Sequence, residues 1–110
     1  MALQQSDLQF AHLFSPGHIG RLEMKNRIVM AATTSGATEG GHVTDRQAEF
    51  FAARARGGAG LIICQSGAPL EEHRAPGRMW IYDDRFLPGL TKLADAIKSA
   101  GARAGTQVAL

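Results

Sequence analysis

The stretch Gly57-Gly58-Ala59-Gly60-Leu61-Ile62-Ile63-Cys64 decides how this chain is read. Paired glycines stop a helix, because glycine tolerates the left-handed conformation that follows a last turn. The run Ala59–Cys64 behind them is short and apolar. Both-face burial of that kind is typical of a parallel strand covered by helices. Upstream, Thr44 and Gln47 stand at capping-box spacing. The Thr hydroxyl accepts from a first-turn N–H, and the Gln side chain reaches back. Ala48, Phe51 and Ala55, with Ala52 beside them, then fall on one helical face. Downstream, Gln65 to Asp83 reads as a long polar connection. Asp84 is the expected N-cap of a second helix, and Pro88 sits in its first turn, where a missing N–H costs little. Leu90, Leu93, Ala94 and Ile97 form its apolar stripe, Gly101 ends it, and Arg103–Leu110 resumes as a strand.

The first part of the chain adds a hairpin and one more strand. Residues 1–12 read as an N-terminal arm, and Ser15-Pro16-Gly17 is a turn signal. Ile19 and Leu22 flank Gly20-Arg21, which predicts a short β-hairpin. Asn26 leads into the apolar run Arg27–Ala31, read as a buried strand. The order is hairpin, strand, helix, strand, helix, strand. Such alternation predicts an α/β fold with a parallel sheet and right-handed crossovers. Arg27–Ala31, Ala59–Cys64 and Arg103–Leu110 are expected to be adjacent and parallel. Three strands with helices on one face leave both sheet edges open. The expectation is a piece of a larger barrel or doubly wound sheet.

Composition narrows the function classes. With 110 residues the chain is at most one domain. Its 45% hydrophobic and 20% charged residues are ordinary for a soluble globular protein. The net charge of +2 comes without a basic stripe, which argues against nucleic acid as a partner. A single cysteine excludes an internal disulfide. His12, His18, His42 and His73 lack ligand spacing, so no metal site is expected. No apolar run approaches the length that spans a bilayer. The N-terminus lacks the apolar core of a signal peptide. A protein of the cytoplasm, without a membrane partner, is expected. Gly57-Gly58-Ala59-Gly60 is not a dinucleotide cradle, because it lies between a helix and the next strand rather than after a strand.

Three blocks, in order, carry a family resemblance. Leu13-Phe14-Ser15-Pro16, Ile19-Gly20 and Leu22-Glu23-Met24-Lys25-Asn26-Arg27-Ile28-Val29-Met30 resemble the opening of old yellow enzyme-type NADH:flavin oxidoreductases. Phe50-Phe51 to Arg54-Ala55, then Gly57 to Ile63, is similar to that family's first helix and second strand. Ile81-Tyr82-Asp83-Asp84, Ala96-Ile97, Gly101 and Thr106-Gln107-Val108 are similar to its second helix and third strand. The resemblance implies the N-terminal portion of a TIM (β/α)8 barrel with a bottom-capping β-hairpin. Residues 1–110 would then be part of a single FMN-binding domain whose remainder is absent from this chain.

What the resemblance implies about chemistry follows residue by residue. The family binds FMN, takes electrons from NAD(P)H and reduces activated C=C bonds of small molecules: enones, enoates or dienoyl thioesters. Active sites of such barrels lie at the C-terminal ends of the strands. Ala31, Ala32 and Thr33 are small enough to back a flat isoalloxazine ring, and the Thr34 hydroxyl suits its O4/N5 edge. Read without the family, the same segment is an ordinary Thr-rich turn. Ser66 is the flavin-contacting position at the second strand end, and Gln65 is a polar residue there that needs a partner. Gln107 offers a donor and an acceptor, as the flavin N3–H and O2 require. Small residues at Ala32 and Gly36, in place of the Pro and Tyr of many relatives, resemble the dienoyl-CoA and enoate reductase branch. Longer members of that branch add an iron–sulfur cluster and FAD. On this resemblance the family's active-site His/Asn or His/His pair and Tyr proton donor fall beyond Leu110, so no catalytic residue is assigned. A homo-oligomer is compatible with this reading. The competing reading is a truncated barrel segment that serves only as a folding or assembly unit.

Overall fold

The computed structural model describes residues 9–109. The first part of the expected N-terminal arm and the expected strand end at Leu110 lie outside them. Strands β1 (Gly17–Ile19) and β2 (Leu22–Met24) form the hairpin, paired antiparallel with Ile19 opposite Leu22. The main sheet is built on β4 (Leu61–Ala68). Strand β3 (Val29–Thr33) pairs with it in parallel, and so does β6 (Arg103–Gln107). All three expected strands are therefore neighbours and parallel. Helices α1 (Asp45–Arg56) and α2 (Leu87–Ser99) supply the crossovers.

The core lies between these helices and the sheet. Phe51 and Ala55 from α1, Leu93 and Ile97 from α2, and Ile62 and Cys64 from β4 meet there, each nearly inaccessible to solvent. Fully burying a side chain such as Ile or Phe stabilises by about 1.5–3 kcal/mol. The predicted stripes are the observed ones, although Leu90 and Ala94 are only partly buried at its rim. Because Ile62 and Cys64 face the helices, alternation along the strand sends Leu61, Ile63 and Gln65 to the other face.

Local chemistry departs from expectation in three places. Thr44 caps α1, its Oγ1 accepting from Gln47 N at 3.1 Å. The box is not closed, however: Gln47 is buried and its Oε1 has no hydrogen-bond partner. The second helix begins differently. Asp83, not Asp84, supplies the cap, accepting from Arg85 N at 2.9 Å. It opens a 3-10 turn, Asp84–Phe86, that runs directly into α2. Finally, the stretch after Cys64 is not all connection. Strand β4 continues to Ala68 and pairs in parallel with the short β5 (Met79–Trp80). The apolar pattern ends at Cys64, but the backbone hydrogen bonds do not.

The N-terminal ends of the strands are locked by Asn26. Its Nδ2 donates to Gly58 O at 2.7 Å, and its Oδ1 accepts from Ile28 N at 3.1 Å. The residue is buried, at 7% exposure. Gly60 passes so close that a Cβ there would lie 2.5 Å from Asn26 Oδ1 and 2.8 Å from Asn26 O. Only glycine fits. Gly60 N donates to Ile28 O, and Gly60 O accepts from Arg103 N, each at 2.9 Å, so one residue links all three strands. The hairpin is fastened at the same end. Arg103 Nε donates to Glu23 O at 2.8 Å, and the Arg27 guanidinium reaches Pro16 O at 3.3 Å. Replacing Asn26 by Ala strands a carbonyl and an N–H in a water-poor site. Leaving such groups unpaired costs about 1–3 kcal/mol. Asn26→Ala is expected to lower stability by about 2 kcal/mol. Equilibrium urea unfolding checks this, and an unchanged midpoint would show that the clamp contributes nothing.

Candidate functional site

The residues expected at the site lie toward the C-terminal ends of β3, β4 and β6, and strand register determines which of them meet. Met30 lies opposite Ile62, but Thr33 lies opposite Cys64. Ala31 and Ala32 together therefore face the single residue Ile63, which makes a β-bulge. Bulges re-aim the residues that follow and recur beside active sites. Beyond the bulge, Thr34 comes level with Gln65, and Gln65 is the register partner of Gln107. Three polar residues thus form one row across three adjacent strands, at the ends of β3 and β6 and within β4.

Each predicted site residue has a definite place. Ala31 and Ala32 form the bulge. The Thr33 hydroxyl turns back on its own strand, donating to Ala31 O at 2.8 Å. Thr34 is solvent-exposed and follows β3 directly. Gln107 is exposed at the end of β6. Ser66 does not end its strand; it lies inside the extended β4, with its backbone paired to Met79. The row gathers Thr34 and Gln107 around Gln65, whose role the sequence left open.

Gln65 has found a partner. The Thr34 hydroxyl donates to Gln65 Oε1, side chain to side chain. A hydroxyl has one proton, so Thr34 as it stands is not free to donate to a ligand oxygen. Sequence reasoning missed this pairing because one inserted residue in β3 sets the register. Two consecutive small residues before a Thr at the end of an apolar run were the available signal.

The loops that leave β3 and β4 pack over the same end. Thr38 Oγ1 donates to Arg78 O at 3.2 Å, and Trp80 N donates to Gly41 O at 3.1 Å. Gly41 has a left-handed φ of 78°, and a Cβ there would lie 2.1 Å from the Trp80 ring. Trp80, Tyr82, Phe86 and His42 form an aromatic cluster, with centroid separations from 4.7 to 6.3 Å. Beside it a cleft of about 440 Å³ opens between Thr38, Gly40, Arg74 and Trp80. The Glu71–His73 segment, within the stretch expected to be a polar connection, is a 3-10 turn whose two glutamates are exposed.

A model of the NADH:flavin oxidoreductase / NADH oxidase family matches residues 12–110. The chain belongs to that family. It is 46% identical over 96 residues to a metal reductase of Desulforamulus reducens, covering 87% of this chain and 14% of that protein. Among solved structures, a 2-naphthoyl-CoA reductase in complex with 2-naphthoyl-CoA superposes with a TM-score of 0.83 at 37% identity. The match covers 88% of this chain and 15% of that one. Old Yellow Enzyme from Pichia sp. AKU4542 gives 0.78 at 25% identity, over 88% of this chain and 26% of its own. As a family member the chain corresponds to the N-terminal portion of an old yellow enzyme-type TIM barrel. It spans about a seventh of the length of the metal reductase it matches. Among the described residues, no helix is long and apolar enough to cross a membrane. Nor does any group of three or more His, Cys, Asp or Glu among them have the placement to hold a metal ion.

In this flavin oxidoreductase segment Cys64 is a packing residue. It is 2% exposed against the helices, and burial pushes its thiol from 9.0 up to about 12. The thiolate is the reactive form, so the native thiol is expected to be inert. Alkylation by iodoacetamide at pH 8 should proceed only after unfolding, as mass spectrometry would read. The linkage has a definite sign. Above pH 9 the unfolded chain ionises this thiol, whereas the folded chain keeps it neutral until about 12. Its contribution to stability is complete below pH 9 and is lost as pH rises through that window.

Proposed function

We propose that this chain supplies the first three strands of an FMN-binding (β/α)8 barrel. The protein carrying it would move reducing equivalents from NAD(P)H to the activated C=C bond of an enone, enoate or dienoyl thioester. Flavin-dependent oxidoreduction follows from the family, and the alkene class is the finer reading. The observation that supports FMN binding is the Thr34, Gln65 and Gln107 row beside the Ala31–Ala32 bulge, toward the end of the sheet where barrel enzymes work. A match to a 2-naphthoyl-CoA reductase supports a thioester among the acceptors.

The donor set fits the group. A planar tricyclic ring needs a surface without projecting side chains, and the bulge offers two alanines. Its pyrimidine edge presents an N–H beside a carbonyl oxygen, which the Gln107 amide complements with one acceptor and one donor. Ser66 would contribute from the second strand. Bound FMN supplies the hydride chemistry. The residues of this chain bind and orient it: Ala31, Ala32 and Thr33 back the ring, while Thr34 and Gln107 hold two of its polar edges. An iron–sulfur cluster or FAD in a longer chain would need ligands from outside the described residues.

Two outcomes test this reading. The intact flavoprotein should keep a yellow absorption spectrum after desalting. Gln107→Leu removes about two neutral hydrogen bonds, each worth about 1 kcal/mol. FMN affinity, read by fluorescence titration, should then fall by roughly 10- to 30-fold. Unchanged affinity would remove Gln107 from the site.

A second reading is supported by the open sheet edges. Among the described residues β3 and β6 each pair only with β4, and Val29 and Val108 stand 43% and 55% exposed. On that reading the 110-residue chain by itself acts only as a folding or assembly unit. Purified alone, it should not oxidise NAD(P)H above the buffer rate in the presence of FMN and an enone. Sustained turnover would contradict this.

A further inference from the structure

The cleft between the loops that leave β3 and β4 has a charge character that flavin binding does not use. We propose that it binds an anionic group, a phosphate or a carboxylate, carried by the alkene substrate away from its double bond, and that Arg74 is the cation that selects it. The proposal rests on the reading that an activated alkene is the acceptor at this end of the sheet.

The position of the cleft is the first support. It measures about 440 Å³ and is lined by Thr38, Gly40 and Gly41 from one loop and by Arg74, Gly77 and Trp80 from the other. Both loops follow the C-terminal ends of strands, the side on which barrel enzymes bind substrates. Gly77 connects the cleft to the polar row. A Cβ on Gly77 would lie 3.3 Å from the Cα of Gly36, two residues beyond Thr34. The cleft therefore neighbours the first member of the row and contains none of it.

Its polar groups are one-sided. Among the described residues, Arg74 is the only charged side chain that lines it. The guanidinium lies 5.6 Å from the centre of the Trp80 ring, within the range of a cation–π contact. Two bordering carbonyls are already engaged: Gly41 O accepts from Trp80 N at 3.1 Å, and Ala75 O accepts from Trp80 Nε1 at 3.2 Å. The Thr38 proton is engaged as well, given to Arg78 O. Donors remain in the turn Gly40-Gly41, where φ is 55° and 78°. Two hydrogen bonds between Glu39 and His42 close that turn, and the Gly40 and Gly41 N–H groups have no partner among the described residues. Successive N–H groups in a turn make a concavity that accepts anions. The competing carboxylate is Glu71, which stands 3.7 Å from Arg74 Nη1 with its side chain 68% exposed. Such an exposed pair is weak, and a guanidinium has five N–H donors to share. An anion in the cleft finds a cation and free N–H groups; a neutral ligand finds the ring face alone. Because the bound group is remote from the reacting bond, it strengthens binding without accelerating the chemical step.

The test is calorimetric titration of the intact oxidised flavoprotein with matched probes. One pair is crotonyl-coenzyme A and crotonyl-N-acetylcysteamine, the same acyl thioester with and without a phosphate-bearing nucleotide. The other is a cyclohexenone bearing a remote carboxylate and its methyl ester. In the parent protein one anionic probe should bind more tightly than its neutral counterpart, and the pair that shows this preference identifies phosphate or carboxylate. The preference should shrink as salt is raised, since the pairing is half-exposed. Arg74→Gln should reduce it by roughly tenfold. Arg74→Lys, which keeps the charge, should retain most of it. A preference that survives Arg74→Gln would overturn the proposal, and so would its absence from both pairs in the parent. An Arg74→Gln protein that instead loses discrimination between NADPH and NADH would assign the cleft to the electron donor and overturn it too. NAD(P)H oxidation with the same probes separates the two readings. Reduction of the alkenes without any preference removes the anion site and leaves the acceptor class standing. A preference lost on Arg74→Gln, with no probe reduced, supports the anion site and removes the acceptor class.

Discussion

Asn26 is the constraint on which the rest of the sheet depends. A buried amide has two polar ends, and both must be satisfied. Here one end holds the carbonyl of Gly58 at the close of α1, and the other holds the N–H of Ile28 at the start of the first barrel strand. The α1–β4 turn is thereby fixed to the neighbouring strand at the point where the ladder begins. Gly60 completes the arrangement, because a larger residue would occupy the space the amide needs. With that end fixed, the parallel ladders of β3 and β6 on β4 start in register, and everything at the far end follows from counting residues.

The counting is then altered once, on purpose of position rather than strength. The bulge at Ala31–Ala32 removes one step between β3 and β4. Without it, Thr34 would alternate to the helix side relative to Gln65. With it, Thr34, Gln65 and Gln107 share one row, at the C-terminal ends of β3 and β6 and within β4. The end locked by Asn26 and the hairpin is rigid and contributes stability. The opposite end is open, polar and edged by loops, as function in this architecture requires. The same division explains Cys64. It lies one residue from the polar row, yet it faces the helices, and burial pushes its thiol pKa up.

The loops over the site show how few residues hold a long connection in place. The stretch after Ala68 has little apolar content of its own. It is tied down by β5, whose Trp80 lies against Gly41 and whose neighbour Arg78 accepts a bond from Thr38. These contacts join the loop after β3 to the loop after β4. They form one rim on the side where the row lies, and Trp80, Tyr82 and Phe86 pack it against the start of α2.

By itself the sequence determined whatever rests on periodicity and chain order. The stripe of Ala48, Phe51 and Ala55, the apolar run before Cys64, the turn at Gly20-Arg21 and the β/α alternation specify a hairpin followed by three parallel strands. They do so because hydrophobic burial acts through spacing along one element. Only the tertiary structure decided matters that depend on pairing between elements. It placed Ser66 inside a longer β4, moved the second cap from Asp84 to Asp83, left Gln47 Oε1 unpaired and gave the Thr34 proton to Gln65. Each of these turns on a hydrogen bond whose partner is fixed by local turn geometry or by strand register. Register in turn hangs on a single extra residue, which leaves no mark in composition or period.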